Sequence, residues 1–235
     1  MKKTSLDIII HSPGGSVEAT DQIISYLRTK YDYIRAIIPQ NAMSAATMLA
    51  CACDEIVMGK HSAIGPIDPQ ITFPLPNRQL FTAPAYSLKA EFNKAHDEII
   101  SNPQSAPLWI PKLSSWPAGI LDICDKNIQL AKDKVSTWLA AYMFKDEADA
   151  NIRASEIAQW LGSDENHLTH GHPISIKEAR EHGLKVLALE DDQELQDKVL
   201  SVFHSAIVTM EITPCVKIIE NHIGVGVFTQ IQRNK

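Results

Sequence analysis

Residues 12–17 read S-P-G-G-S-V and residues 41–50 read N-A-M-S-A-A-T-M-L-A, and the rest of the chain is organised around these two stretches. The first is a Gly-Gly turn directly after an apolar run. The second carries one serine, Ser44, among small residues that are typical of a buried helix. A serine at a helix N-terminus is usually a cap, and a Gly-Gly turn after a strand is usually only a turn. Lying one strand-and-helix unit apart, the two stretches together suggest a nucleophile and an oxyanion hole.

The N-terminal part of the chain alternates between strand and helix patterns. Residues 6–10 are a nearly continuous apolar run, which predicts a strand buried on both faces. Residues 17–30 have helical spacing, residues 33–38 predict a second strand, and residues 44–53 predict the helix of small residues. A third short strand is predicted at residues 55–58. This alternation predicts the α/β fold class, with a parallel sheet and crossover helices.

The regular alternation of strand and helix patterns does not continue in the remainder of the chain. Residues 71–83 and 103–117 are rich in proline, so the first is predicted to be an extended loop and the second an irregular cover. Further helices are predicted at residues 87–100, 120–142, 150–162, 175–182 and 190–210. Residues 224–228 are a weak strand candidate. The C-terminal part is therefore predicted to be mainly helical.

The composition disfavours several classes of protein. A chain of 235 residues is long enough for one α/β domain, and its contents of 45% hydrophobic and 21% charged residues are typical of a globular protein. The formal net charge of −6 and the aromatic content of 6% argue against a nucleic-acid partner, because they supply neither a basic face nor stacking platforms. No signal peptide opens the chain, and no apolar run approaches the ~20 residues of a transmembrane segment.

The cysteines and histidines are interpreted without a metal. The four cysteines have apolar neighbours in the sequence, which predicts that they are buried free thiols in a reducing, cytoplasmic compartment. The histidines at positions 167, 170 and 172 invite a metal site, but they lie among loop residues and no H-E-x-x-H occurs. We therefore predict a polar loop or an interface there, with no metal and no cofactor. The cysteines are Cys51, Cys53, Cys124 and Cys215.

In combination, the motifs resemble the Clp protease/crotonase superfamily. The closer resemblance is to the serine dehydrogenase proteinase family, Clp-class peptidases related to signal peptide peptidase A. This resemblance implies a repeated β-β-α spiral fold with a helical C-terminal part. Residues 1–100 would then form the core with the nucleophile and the oxyanion hole, and residues 101–235 a mainly helical continuation of the same domain. The supporting stretches are residues 11–17, 41–49, 54–58, 64–70 and 170–174.

The resemblance also implies an activity. It makes Ser44 the nucleophile of a serine endopeptidase that cleaves peptide or protein substrates through an acyl-enzyme. The amides of Ala45 and of Gly15, or alternatively of Gly14, would form the oxyanion hole. The chain has no Walker A motif, so the hydrolysis would be independent of ATP. Members of this superfamily assemble into rings and smaller oligomers, which implies a homo-oligomer.

The general base is the open part of this hypothesis. Related signal-peptide peptidases use a lysine from a later helix, and Lys89 lies where such a lysine would be expected. A lysine base needs a pKa lowered by desolvation, and the apolar neighbours of Lys89 are compatible with that. We therefore predict a Ser44–Lys89 dyad, with His61 and Asp68 as the rival pair. Because Asp68 precedes a proline, a structural role in a turn is the alternative to a catalytic role for this residue.

A second hypothesis is a catalytically inactive or truncated Clp-fold subunit with a structural or assembly role. Relatives carry strands and a helix before the S-P-G-G strand, whereas this chain reaches that strand within its first residues. N-terminal strands of the fold are therefore expected to be missing, which would leave a sheet edge open. A hydratase or isomerase of the crotonase type is disfavoured, because those enzymes do not need a serine at position 44.

Overall fold

The computed structural model describes residues 4–75 and 77–231. The chain divides into two compact units, Met1–Leu187 and Ala188–Lys235. The strands are β1 (Ser5–Ile9), β2 (Tyr33–Ile38), β3 (Asn41–Ala42), β4 (Glu55–Met58), β5 (Ala63–Ile64), β6 (Gln70–Pro74), β7 (Leu80–Pro84), β8 (Ile174–Ser175), β9 (Val186–Ala188), β10 (Cys215–Glu220) and β11 (Gly226–Gln230). The helices are α1 (Val17–Arg28), α2 (Ala45–Cys51), α3 (Ala85–Ser101), α4 (Ala106–Leu113), α5 (Ile120–Trp138), α6 (Ala150–Leu161), α7 (Asp164–His167), α8 (Ile176–Glu181) and α9 (Gln193–Ile212).

The main sheet has the strand order β1-β2-β4-β9. β1 pairs with β2 and β2 pairs with β4, both in parallel, with α1 and α2 as the intervening helices. The predicted mixed α/β class is therefore confirmed. β1 lies at the edge of this sheet and its residues alternate between exposed and half-buried, so the prediction of a strand buried on both faces is wrong. An edge strand has a partner strand on one side only. The exposed side chain of Asp7 in β1 forms an ion pair with Arg35 of the neighbouring strand β2.

A second, smaller sheet organises the region around Ser44. Its order is β3-β5-β8, with β3 parallel and β8 antiparallel to β5. The chain therefore leaves β3 toward Ser44, leaves β5 toward Asp68, and enters β8 from the side of His170. Because of these strand directions, all three residues belong to the same end of the sheet.

The helix of small residues is buried, as predicted. Six of the seven residues of α2 are buried, and the helix contacts α1, β2, β4 and α5. Alanine at three of these positions allows neighbouring elements to approach closely. The core around α2 also takes in Ile38, Ile56 and Trp138. The nucleophile candidate thus stands at the start of a helix whose position is set by packing on every side.

Two proline-rich segments are more regular than predicted. Residues 71–83 lie almost entirely within an antiparallel hairpin of β6 and β7, in which Phe73 pairs with Phe81 at a ring-centroid distance of 5.6 Å. Cross-strand aromatic contacts of this kind stabilise a hairpin whose local sequence resembles a loop. Residues 103–117 contain a short 3₁₀ turn and then α4, which tolerates its first proline because that residue lies in the first turn.

The second unit consists of a short 3₁₀ turn, α9 and an antiparallel hairpin. β10 pairs with β11, with Ile218 opposite Phe228. The predicted strand at residues 224–228 is therefore present, displaced by two residues, and its partner β10 was missed. Apolar side chains such as Ile219, Val225 and Val227 are exposed on this hairpin.

Candidate active site

Ser44 has a strained backbone at the junction between β3 and α2. Its φ of 53° and ψ of −120° lie in a region that non-glycine residues rarely adopt. Although it occupies the N-cap position, its side chain makes no capping hydrogen bond. Such strain is concentrated at functional sites, and other serine hydrolases present the nucleophile on a strained strand-to-helix turn. The hydroxyl of the half-buried Ser44 is therefore not used as an ordinary cap.

The turn that carries Ser44 is held by Thr47, a residue that sequence reasoning missed. Thr47 is fully buried. Its Oγ1 donates to the Ala42 carbonyl at 2.7 Å and accepts from the Gly65 amide at 3.0 Å. One hydroxyl thereby connects the end of β3, the first turn of α2 and the segment after β5. Its only sequence signal is a polar residue among the small apolar residues of α2.

The Gly-Gly turn lies directly against Ser44. The loop is tied to the serine segment by backbone hydrogen bonds, Ser12 N–H to Asn41 O at 3.0 Å and Met43 N–H to Ser12 O at 3.0 Å. Gly14 has a φ of 111°, and a Cβ atom there would lie 2.8 Å from Ser44 Cβ and 2.8 Å from the Met43 carbonyl oxygen. This position therefore requires glycine.

The amides around Ser44 differ in their availability. The Gly14 N–H donates to Ser12 Oγ at 3.1 Å. Gly15 is exposed, with open space where a side chain would be. The Ala45 N–H belongs to the first turn of α2, where amides have no partner within the helix. Of the amides predicted to form the oxyanion hole, those of Gly15 and Ala45 are therefore the better suited.

Lys89 lies on α3, and its partner is Asp125 on α5 rather than Ser44. Its side chain is 38% exposed. The hydrogen bond that Lys89 donates to Asp125 outweighs the effect of burial and raises the pKa of Lys89 above its ordinary value. A lysine base requires a shift in the opposite direction. Its role as the base stays a prediction that rests on the resemblance.

Asp68 contacts His170 instead of His61. The carboxylate of Asp68 is buried, and its Oδ1 lies 2.8 Å from His170 Nδ1. Its other oxygen accepts a hydrogen bond from Gln70 Nε2 at 3.1 Å. His61 lies in the exposed turn after β4, beside Gly59. From the sequence, His170 was predicted to lie in a polar loop. Its position in the H-G-H-P-I stretch, which supports the family resemblance, could have indicated a functional role.

The same loop brings three potential metal ligands together. One donor atom each from His167, His172 and Glu178 lies within 4.8 Å of the other two. Glu178 lies in the first turn of α8. The sequence shows no carboxylate at helical spacing from these histidines, but the fold brings the carboxylate of Glu178 close to them.

Residues 1–102 match the family model described as ClpP-like SDH-type serine proteinase. The match includes Gly14 and Ser44 and confirms the resemblance to serine dehydrogenase proteinases. Among the described residues, none of the helices combines the length and the apolar character needed to cross a lipid bilayer.

Two relatives of the chain are uncharacterized proteins of Methanocaldococcus jannaschii. MJ0137 is 32% identical over 186 residues, which are 79% of this chain and 54% of the relative. MJ1495 is 31% identical over 182 residues, which are 77% of this chain and 51% of the relative. The chain thus spans about half the length of the curated relatives it matches. No solved structure matches the chain.

Proposed function

We propose that the chain is a serine peptidase that hydrolyses peptide bonds through an acyl-enzyme on Ser44, independently of ATP. The observation that carries this proposal is the strained, uncapped Ser44 packed against Gly14 within a segment of the SDH-type serine proteinase family. A serine that served only as a helix cap would neither need this backbone conformation nor leave its hydroxyl outside the capping hydrogen bond.

The proposed reaction begins with attack of Ser44 Oγ on the carbonyl carbon of the scissile peptide while the serine proton passes to the base. The negative charge that develops on the carbonyl oxygen is stabilised by the N–H groups of Gly15 and Ala45. The base then gives the proton to the leaving amine as the C–N bond breaks, and an ester on Ser44 remains. Water attacks this ester with the help of the same base, which releases the acid and restores the hydroxyl.

We favour His170 as the base, with Asp68 as the residue that orients it. A Ser-His-Asp triad requires a buried carboxylate on one imidazole nitrogen, which leaves the other nitrogen for the serine proton. The contact between Asp68 Oδ1 and His170 Nδ1 has this form. Ser44, Asp68 and His170 also belong to the same end of the β3-β5-β8 sheet. Lys89 and His61 are the alternatives that the experiment must compare.

Labelling with a fluorophosphonate probe tests both parts of the proposal. We expect the probe to label the folded protein on Ser44 and to leave Ser44→Ala unlabelled. His170→Ala should slow labelling by about 100-fold or more, because general bases contribute factors of this size. Lys89→Ala and His61→Ala should label at nearly the original rate. Slow labelling of Lys89→Ala alone would transfer the base to Lys89, and an unlabelled Ser44 in well-folded protein would remove the peptidase proposal.

The second candidate is an inactive Clp-fold subunit with an assembly role. It is favoured by the ion pair between Lys89 and Asp125, which raises the pKa of the lysine that the resemblance makes the general base. In either case we propose a homo-oligomer, and the four buried free thiols support a reducing compartment such as the cytoplasm. A folded oligomer that fails to react with the probe would favour this candidate over the peptidase.

A further inference from the structure

We propose that His167, His172 and Glu178 form a zinc site that holds the loop between α7 and α8. Zinc binding at this site would not depend on peptidase activity. The three residues lie in consecutive segments of the first unit: the end of α7, the loop before β8, and the first turn of α8. A metal ion bound to all three would connect these segments across residues 168–173.

His167 is the strongest indication of a ligand. It is only 3% exposed, and its Nε2 lies 2.9 Å from the Trp160 carbonyl oxygen, so Nε2 carries the hydrogen and donates. Its Nδ1 is buried and has no hydrogen-bond partner among the described residues. A buried polar atom without a partner is unfavourable unless something else binds it. Metal-ligating histidines commonly donate the second ring nitrogen to a backbone carbonyl in this way, which fixes the ring and leaves a lone pair for the ion.

The distances suit a small cation. His172 Nε2 lies 3.5 Å from Glu178 Oε1, and the donor atoms of the three residues all lie within 4.8 Å of one another. Neighbouring ligands of a tetrahedral zinc ion are about 3.4 Å apart, given bonds of about 2.0–2.1 Å. A shift of the side chains by about an ångström would therefore complete the coordination.

The ligand chemistry favours zinc over the abundant hard cations. Two imidazoles and one carboxylate are a ligand set found in zinc proteins, with the fourth position open to water. Mg²⁺ and Ca²⁺ prefer sets made entirely of oxygen ligands. The backbone of Glu178 is held in place by the N-cap of α8, because the Glu178 N–H donates a hydrogen bond to Ser175 Oγ at 3.3 Å.

The site would affect a specific loop. His170 lies between the two histidine ligands and contacts Asp68. A zinc ion at the proposed site would restrict the loop on both sides of His170 and so limit the positions that its imidazole can reach. This consequence is structural, and the zinc ion itself takes no part in the peptidase steps proposed above.

Calorimetric titration of chelator-treated protein with Zn²⁺ tests the site directly. We expect one zinc ion per chain, with little heat from Mg²⁺. His172→Ala and Glu178→Gln should each abolish the stoichiometric binding. Both side chains are partly exposed, so the metal-free variants should retain the circular dichroism and melting temperature of the metal-free original. The matched control is His96→Ala on α3, an exposed histidine outside the cluster, which should bind zinc as the original does.

Cobalt(II) gives a second readout that needs no variant. Tetrahedral Co²⁺ at the site should show intense visible absorption that excess Zn²⁺ removes. Zinc should also raise the melting temperature of the original chain and of Ser44→Ala equally, which separates this inference from the peptidase proposal. Folded protein that binds no zinc, or that binds it equally well in His172→Ala and Glu178→Gln, would overturn the site.

Discussion

Gly14 is the residue on which the geometry around Ser44 most directly depends. Its φ of 111° is accessible to glycine at no cost, and no other residue could bring its backbone so close to Ser44 and Met43. Gly15, its neighbour in sequence, has open space around the position of its missing side chain. The two glycines of one motif therefore have different surroundings: Gly14 is closely packed, whereas a side chain at Gly15 would meet open space.

This difference predicts unequal effects of two matched substitutions. Gly14→Ala should destabilise the protein by about 1–3 kcal/mol and reduce probe labelling of Ser44, because the new methyl group meets backbone and Ser44 Cβ at 2.8 Å. Gly15→Ala should change the unfolding free energy by less than about 0.5 kcal/mol. Urea unfolding measures both values. Equal destabilisation by the two alanines would show that Gly14 is not the packing residue.

At the scale of elements, Asp54 joins segments that are far apart in sequence. Its buried carboxylate accepts hydrogen bonds from Arg28 Nη1 of α1 at 2.7 Å, the Ile34 amide of β2 at 2.9 Å and Lys145 Nζ at 2.8 Å. Arg28 also stacks on Tyr142 at 3.7 Å from the ring centroid. One carboxylate, placed just before β4, thereby positions α1 and the segment after α5 against the main sheet.

The charge of Asp54 makes the stability of the protein depend on pH. Burial alone would raise the pKa of Asp54, but the hydrogen bonds from Lys145, Ile34 and Arg28 outweigh it and hold the pKa below its ordinary value. A depressed pKa in the folded state gives stabilisation that is present above the unfolded pKa of about 4 and is lost as the pH falls through the folded value.

We therefore expect Asp54→Asn to lower the unfolding free energy by roughly 3 kcal/mol at pH 7, because it leaves two cations without their buried partner. The difference between the original and the variant should shrink as the pH falls from about 4 through the lower pKa of the folded state, because the carboxylate of the original is then neutralised as well. Urea unfolding from pH 3 to pH 7 provides the measurement. Asp7→Asn, which breaks an exposed ion pair, is the control and should have a small effect at every pH. A pH-independent difference for Asp54→Asn would contradict this account.

At the scale of the whole molecule, apolar surface remains uncovered in both units. β1 has one edge without a partner strand among the described residues, and in the first unit Ile23 and Tyr26 of α1 are exposed. In the second unit the hairpin exposes Val227 and Phe228. Exposed strand edges and apolar patches of this kind favour association. They support the proposed homo-oligomer.

Light scattering coupled to size-exclusion chromatography should give a mass above the 26.1 kDa of one chain. The melting temperature should rise with protein concentration, because association stabilises the folded state by mass action. A monodisperse monomer with a single cooperative, concentration-independent melt would exclude the oligomer. Aggregation without a defined mass would indicate instead that the exposed surfaces have no specific partner.

Three features can be predicted from the sequence: the alternation of strand and helix in the N-terminal part, the turn at Gly14 and the helix that begins after Ser44. These features follow from local hydrophobic period and from the conformational needs of single residues, which are visible in a short window. The hairpin of β6 and β7 could not be read this way, since its stability comes from cross-strand pairs such as Phe73 and Phe81. The tertiary structure alone decided that Asp68 meets His170, which is 102 positions away along the chain, and that Lys89 meets Asp125. Such contacts depend on how whole helices and strands pack against one another. A local sequence pattern therefore cannot predict which distant side chain will contact a given carboxylate.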